Sequence, residues 1–110
     1  MYYIKKTFEI SAAHKLKLNY VSPCANLHGH NWKITVFCKS ANLDDNGMIV
    51  DFSKIKSIIH DKLDHQYLND LLTFNTTAEN MAKWIVDNVP CCYRCEISET
   101  ENNIAAYEKD

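Results

Sequence analysis

A chain of 110 residues, 46% of them hydrophobic and with a formal net charge of -2, has room for one modest core and carries no general attraction to nucleic acid. No run approaches the roughly eighteen consecutive apolar residues of a membrane helix, and Met1 to Lys6 lacks the apolar segment of a secretory signal, so a cytoplasmic protein is expected. Five cysteines without paired spacing read as free thiols of a reducing compartment rather than as a disulfide framework.

The charge is uneven along the chain. Within residues 1–40, six lysines (Lys5, Lys6, Lys15, Lys17, Lys33, Lys39) face Glu9 alone. Such a surface suits a small polyanion such as a phosphate ester, and equally a solvated lysine face that favours solubility.

From Tyr2 to Ala12 the even positions are Tyr2, Ile4, Lys6, Phe8, Ile10 and Ala12, while Lys5, Thr7, Glu9 and Ser11 take the odd ones, the period of a half-buried strand. His14 continues the apolar parity. A loop from Lys15 to about Leu27 leads to a second alternating run, with Trp32, Ile34, Val36 and Cys38 on one face and Lys33, Thr35 and Lys39 on the other; His28 and His30 share the apolar parity. Asp44-Asp45-Asn46-Gly47 is a turn signal, so Met48–Asp51 is expected to return as an antiparallel strand.

Phe52, Ile55, Ile58, Ile59 and Leu63 have the spacing of an amphipathic helix, which Asp51 or Ser53 can cap. Thr76-Thr77-Ala78-Glu79 matches a capping box with Thr76 as the cap, and Met81, Trp84, Ile85 and Val89 form a helical stripe that Pro90 ends. Cys91–Glu99 alternates again, with Tyr93, Cys95, Ile97 and finally Glu99 on the apolar face, and Ile104–Tyr107 can add a short strand. One α+β domain over residues 1–110 is the simplest parse.

The chemistry follows from parity. If the first two strands pair as a hairpin, His14 lies near His28, and His30 projects from the same face. Residues two apart on a strand sit roughly 7 Å apart at the backbone, which lets imidazoles converge on one zinc at N–Zn distances of about 2.0–2.1 Å. Polar groups facing a core need partners. One metal ion satisfies all three histidines, whereas the alternative needs a separate hydrogen bond for each at the sheet edge. Three nitrogen ligands with no fixed fourth make the open, catalytic kind of zinc site.

Cys24, four residues before His28, overhangs that place; near zinc or a histidine it becomes a thiolate fit to act as a base, and otherwise it is a small hydrophobe. Cys92 and Cys95 imitate a redox pair, but positions three apart on a strand point to opposite faces. Asp64 beside His65 can orient a proton donor, while His60 reads as a surface residue. Glu99 can accept two hydrogen bonds from a planar donor edge, or is one more exposed acid beside Glu96 and Glu101.

Phe8-Glu9-Ile10-Ser11-Ala12-Ala13-His14, Cys24-Ala25-Asn26-Leu27-His28-Gly29-His30-Asn31, Val50-Asp51-Phe52, Leu63-Asp64-His65-Gln66-Tyr67-Leu68-Asn69, Thr77-Ala78-Glu79-Asn80 and Ser98-Glu99-Thr100 together resemble the 6-pyruvoyltetrahydropterin synthase family. Within it the chain is most similar to the bacterial 6-carboxytetrahydropterin synthases of queuosine biosynthesis. The resemblance implies the tunnelling fold, a four-stranded antiparallel sheet with two helices packed on one face, whose subunits assemble as a homo-hexamer, a dimer of trimers. It also implies Zn2+ on His14, His28 and His30, Cys24 as the base, Asp64 and His65 as a proton-transfer pair with it, and Glu99 as the pterin anchor; Thr77 is expected to bind the substrate, and Lys15, next to a zinc ligand, to meet the triphosphate. The implied reaction converts 7,8-dihydroneopterin triphosphate to 6-carboxy-5,6,7,8-tetrahydropterin with release of acetaldehyde and triphosphate; the alternatives are 6-pyruvoyltetrahydropterin synthesis and a non-catalytic zinc- or pterin-binding protein. Thr76 stands where the family commonly has proline. Cys24 stands where folate-precursor relatives often have glutamate.

Overall fold

The computed structural model describes residues 1–110. In chain order it comprises β1 (Tyr2–His14), a 3-10 turn (Pro23–Ala25), β2 (His28–Ser40), α1 (Phe52–Ile58), α2 (His60–Leu63), α3 (Leu68–Leu71), α4 (Ala78–Asn88), β3 (Cys92–Thr100) and β4 (Asn103–Glu108). The four strands form one sheet in the order β1-β2-β3-β4, with every neighbour antiparallel.

β1 and β2 pair along their whole length, from Tyr2 opposite Ser40 to His14 opposite His28. Because side chains alternate, this register puts Ile10, Ala12, Trp32, Ile34, Val36 and Cys38 on one face, where all are buried. Ile55, Ile59 and Leu63 from α1, its C-terminal flank and α2, and Met81, Ala82, Ile85 and Val86 from α4, cover that face. Full burial of each large side chain contributes roughly 1.5–3 kcal/mol. No helix is long and apolar enough to cross a membrane.

The turn at Asp44–Gly47 forms as expected, with Gly47 at φ 81 and its N–H donating to the Asp44 carbonyl at 3.0 Å. The return strand over Met48–Asp51 does not. The Asp44 carboxylate takes the N–H groups of both Asn46 and Met48, so Met48 has no donor left for a ladder, and β3 instead takes the second edge of β2. The Asp51 carboxylate then caps α1 through the Ser53 N–H at 2.8 Å. The expected first helix is interrupted at Ile59 (φ -110, ψ -68) and continues as α2; Phe52, expected in its apolar stripe, is 48% exposed.

The capping box is displaced by one residue. Thr77, not Thr76, caps α4, its hydroxyl accepting the Asn80 N–H at 3.2 Å, while Thr76 is fully buried. In β3 the register slips between Phe37 and Cys38, so that Arg94 faces Phe37 but Cys92 faces Cys38. This β-bulge reverses the parity upstream of it. Tyr93 therefore lies on the opposite face from Cys95 and Ile97, edge-on to Tyr3 at 6.3 Å. Cys92 and Cys95, expected on opposite faces, are both buried in the core, and both are free.

Beyond α2, the chain turns back through His65 (φ 59) and runs beside the outer edge of β1. The His65 N–H donates to the Ser11 carbonyl at 2.7 Å, the Ala13 N–H donates to the Gln66 carbonyl at 3.1 Å, and Ala13 bridges Tyr67 in parallel. Past the end of β1, two asparagine side chains replace a neighbouring strand. Asn69 accepts the Lys15 N–H at 3.0 Å and donates to the Lys15 carbonyl at 2.8 Å. Asn75 does the same for Lys17 at 2.9 and 3.0 Å.

Candidate metal centre

The hairpin register brings the end of β1 against the start of β2, so His14 faces His28 directly and His30 lies opposite Ala12, two residues further along the same face. The three imidazoles stand edge to face, with centroids 4.5 Å (His14–His28), 5.2 Å (His14–His30) and 4.8 Å (His28–His30) apart. Trp32 closes the floor of the cluster at 4.8 Å from His14 and 5.0 Å from His30. Its indole N–H is held by the Ala12 carbonyl at 3.2 Å.

Hydrogen bonds fix which nitrogen is free on two of the three rings, His14 and His28. His14 Nδ1 lies 2.9 Å from the Thr76 carbonyl oxygen and 3.2 Å from its hydroxyl. A carbonyl only accepts, so Nδ1 carries the proton and Nε2 presents a lone pair. His28 Nδ1 is held in the same way by the Asn26 carbonyl at 2.7 Å. Nε2 of His14 and Nε2 of His30 are both buried without a hydrogen-bond partner, a condition that costs roughly 1–3 kcal/mol per group.

Burial pushes His14 down from 6.5 to about 4, outweighing the opposing effect of the Thr76 carbonyl. Burial also lowers His30, against the neighbouring Glu99 carboxylate, whose Oε2 stands 3.9 Å from His30 Nε2. Neutral rings with lone pairs turned inward are what a metal ion requires of histidine. The ligand atoms of His14, His28 and His30 all lie within 4.8 Å of one another, so the cluster can hold a metal ion. The carbonyl on the far nitrogen of a ring is the usual outer partner of a metal-bound histidine.

The other residues singled out by sequence are distributed around this cluster. Asp64 Oδ1 accepts the Ser11 N–H at 2.8 Å, and that bond, with His65 and His60 close by, holds the carboxyl below the usual carboxylate range. Its Oδ2 lies 3.5 Å from His65 Nε2. His65 and His30 both line a concavity of about 570 Å³, together with Ser11, Asn31, Gln66 and Tyr67. Glu99 sits at the bulge between β3 and β4 and borders a second concavity, of about 340 Å³, with Glu79 and Asn103.

Cys24 is exposed in the 3-10 turn, where Ser22 Oγ accepts its N–H at 3.2 Å. Its thiol makes no hydrogen bond with Asp64 or His65 of the same chain. Lys15 has an exposed side chain and a backbone clamped by Asn69. The Thr77 hydroxyl accepts from α4 and keeps its own hydrogen free to donate.

Sequence reasoning passed over three participants. Thr76 orients His14, Asn69 braces the Thr76 hydroxyl at 3.4 Å, and His60, read as a surface residue, is half-buried with Nε2 3.4 Å from Asp64 Oδ2. An i,i+4 spacing between His60 and Asp64 across one helical turn was the available signal for the last of these.

A family model described as 6-pyruvoyl tetrahydropterin synthase matches residues 3–110. The chain is 31% identical to a 6-carboxy-5,6,7,8-tetrahydropterin synthase of Bacillus subtilis, over 94% of this chain and 83% of the relative. It is 35% identical to the protein of the same name from Synechocystis, over 97% and 93%. Among solved structures, the Caenorhabditis elegans 6-pyruvoyl tetrahydropterin synthase superposes with a TM-score of 0.75 at 27% identity, covering 99% of this chain and 96% of that one.

Proposed function

The chain belongs to the 6-pyruvoyl tetrahydropterin synthase family, and from that premise we propose that it is a zinc-dependent lyase converting 7,8-dihydroneopterin triphosphate to 6-carboxy-5,6,7,8-tetrahydropterin, with release of acetaldehyde and triphosphate. The observation that carries the metal dependence is the pair of buried, unpartnered Nε2 atoms on His14 and His30, beside His28 with its own Nε2 left free. The names of the Bacillus and Synechocystis relatives favour the carboxy product.

His14, His28 and His30 would hold the zinc, and when bound it would supply Lewis-acid polarisation of the substrate's side-chain hydroxyls. Cys24 moves protons at that side chain as the base. His65, held by the Asp64 carboxylate, serves as the complementary acid. Glu99 accepts two N–H groups from the pterin edge, in the manner of carboxylates with guanidinium groups, and the Thr77 hydroxyl donates to the same ring system. The Lys15 ammonium meets the triphosphate.

The site is completed by neighbouring copies in a homo-hexamer, a dimer of trimers, as the family resemblance implies. A cytoplasmic enzyme of queuosine biosynthesis, acting on a small pterin and on no nucleic acid, fits this reading. The similarity to the Caenorhabditis elegans protein favours the second reading, 6-pyruvoyltetrahydropterin synthesis without carbon–carbon cleavage. Incubating the zinc-loaded protein with 7,8-dihydroneopterin triphosphate separates them: stoichiometric acetaldehyde supports the first, and a pyruvoyl product without acetaldehyde establishes the second.

A further inference from the structure

We infer that His60 is a positioning residue of the Asp64–His65 pair, holding the Asp64 carboxylate from the helix side so that Oδ2 faces the His65 ring. This inference rests on the proton-transfer role proposed above for that pair.

The argument starts with how little else holds His65. Its side chain is 81% exposed, and the only polar side-chain contact of its ring is Asp64 Oδ2 at 3.5 Å. The direction of the ring therefore depends on the direction of the carboxylate. Asp64 sits at the end of α2, and the Ser11 N–H secures only Oδ1. One bond to one oxygen leaves the carboxylate plane free to turn about the bond joining it to Cβ, a broad and soft torsion. A second anchor on Oδ2 removes that freedom.

His60 is built to be this anchor. Its Nδ1 is hydrogen-bonded with Asp61 Oδ1 at 3.3 Å, and its Nε2 lies 3.4 Å from Asp64 Oδ2, an ion-pair contact that holds the carboxylate in the imidazolium form, where both nitrogens carry protons. The Asp61 carboxylate is in turn paired with Lys56 at 3.2 Å. From the sheet, the Phe8 ring meets the imidazole edge to face at 6.3 Å. The ring is thus pinned on three sides and its side chain is 29% exposed, while the partner it serves, Asp64, is 18% exposed. Oδ2 lies between two imidazoles, one packed and one open to solvent. The packed ring sets the geometry and the open one is left free to meet a substrate.

A matched set of variants tests this with 7,8-dihydroneopterin triphosphate as substrate, zinc content reporting on the fold of each. In His60→Gln the amide Nε2 reaches the place of the imidazole Nε2 and can still donate to Asp64. In His60→Glu an acceptor of the same size replaces the donor, and in His60→Asn the shorter amide reaches Asp61 only. We expect His60→Gln to keep kcat within about threefold of wild type, and His60→Glu and His60→Asn to lose about tenfold in kcat with KM unchanged, a fraction of the roughly 10²–10⁴-fold contributed by a positioned proton-transfer group. The added carboxylate in His60→Glu should also displace the pH–rate profile upward, since a second negative charge favours protonated His65.

Equal kcat in wild type, His60→Glu and His60→Asn would overturn the inference, as would an equal loss in all three variants, because donation to Oδ2 would then be irrelevant. Asp64→Asn, measured alongside, separates the two levels. If it is inactive while His60→Glu is normal, only the role of His60 fails; if it is fully active, the pair itself has no part in turnover and both fall.

Discussion

The Thr76 carbonyl accepts a hydrogen bond from Nδ1 of His14 at 2.9 Å, joining residues 62 apart in sequence. The chain entering α4 thereby sets the tautomer of a ring at the end of β1, and the lone pair on Nε2 follows from it. Backbone supplies the essential contact, and the Thr76 hydroxyl at 3.2 Å only adds to it. Thr76→Val, which keeps both the carbonyl and the volume, should therefore weaken zinc binding by less than about tenfold, the low end for loss of an outer partner. Competition with a chelator measures this, and a hundredfold loss would show that the hydroxyl does the orienting.

Each of the three histidines offers one nitrogen to the cluster, and the proposed zinc site uses all three. His14→Ala, His28→Ala and His30→Ala should each reduce bound zinc from one per chain to nearly none. In the wild type, zinc at a hundred times its Kd should raise stability by about 2.7 kcal/mol, and His14→Ala should show no such gain. Metal analysis and thermal melts with and without zinc provide the check; an unchanged zinc content in any of the three would remove that residue from the centre.

Cys24 lies outside the cluster, in the 3-10 turn of the loop that joins His14 to His28. Replacing it with alanine should leave one zinc bound and the fold intact, yet lower turnover by about 10²–10⁴-fold. A fully active Cys24→Ala enzyme would exclude the thiol as the base.

Asp64 gives a pH signature. The Ser11 N–H, aided by His65 and His60, holds its folded carboxyl below the usual value of 3.8. A carboxyl whose folded value is depressed contributes stability above its unfolded value and loses it as pH falls through the folded one. The stability advantage of wild type over Asp64→Asn should accordingly be constant near neutrality and shrink once the pH drops below 3.8. Urea titrations at pH 7 and pH 3 would show it, and an advantage that grows on acidification would contradict the assignment.

The alternation along β1 and β2 was legible because both strands have one buried and one solvated face, and the same parity carried His14, His28 and His30 to one side. Local chemistry misled where a tertiary partner outcompeted it. Met48 reads as strand, but its N–H is consumed by the Asp44 side chain two hydrogen bonds into the turn. Thr76 reads as a cap, but the demand of His14 for an acceptor moves the cap to Thr77. The bulge at Phe37 and Cys38 leaves no mark in hydrophobic periodicity, so the faces of Tyr93 and Cys92 could not be read. Cys24 and Lys15 are located by the loop, whose path depends on long-range side chains rather than on any local pattern.

The side-chain clamps of Asn69 and Asn75 on Lys15 and Lys17 make the rim of the centre a separately adjustable part. A ladder of backbone bonds would tie the loop's course to the whole sheet, whereas a single amide can be exchanged by one codon. Replacing Asn75 removes both bonds to Lys17 at once, while the strand pairing that sets His14 against His28 keeps its own register.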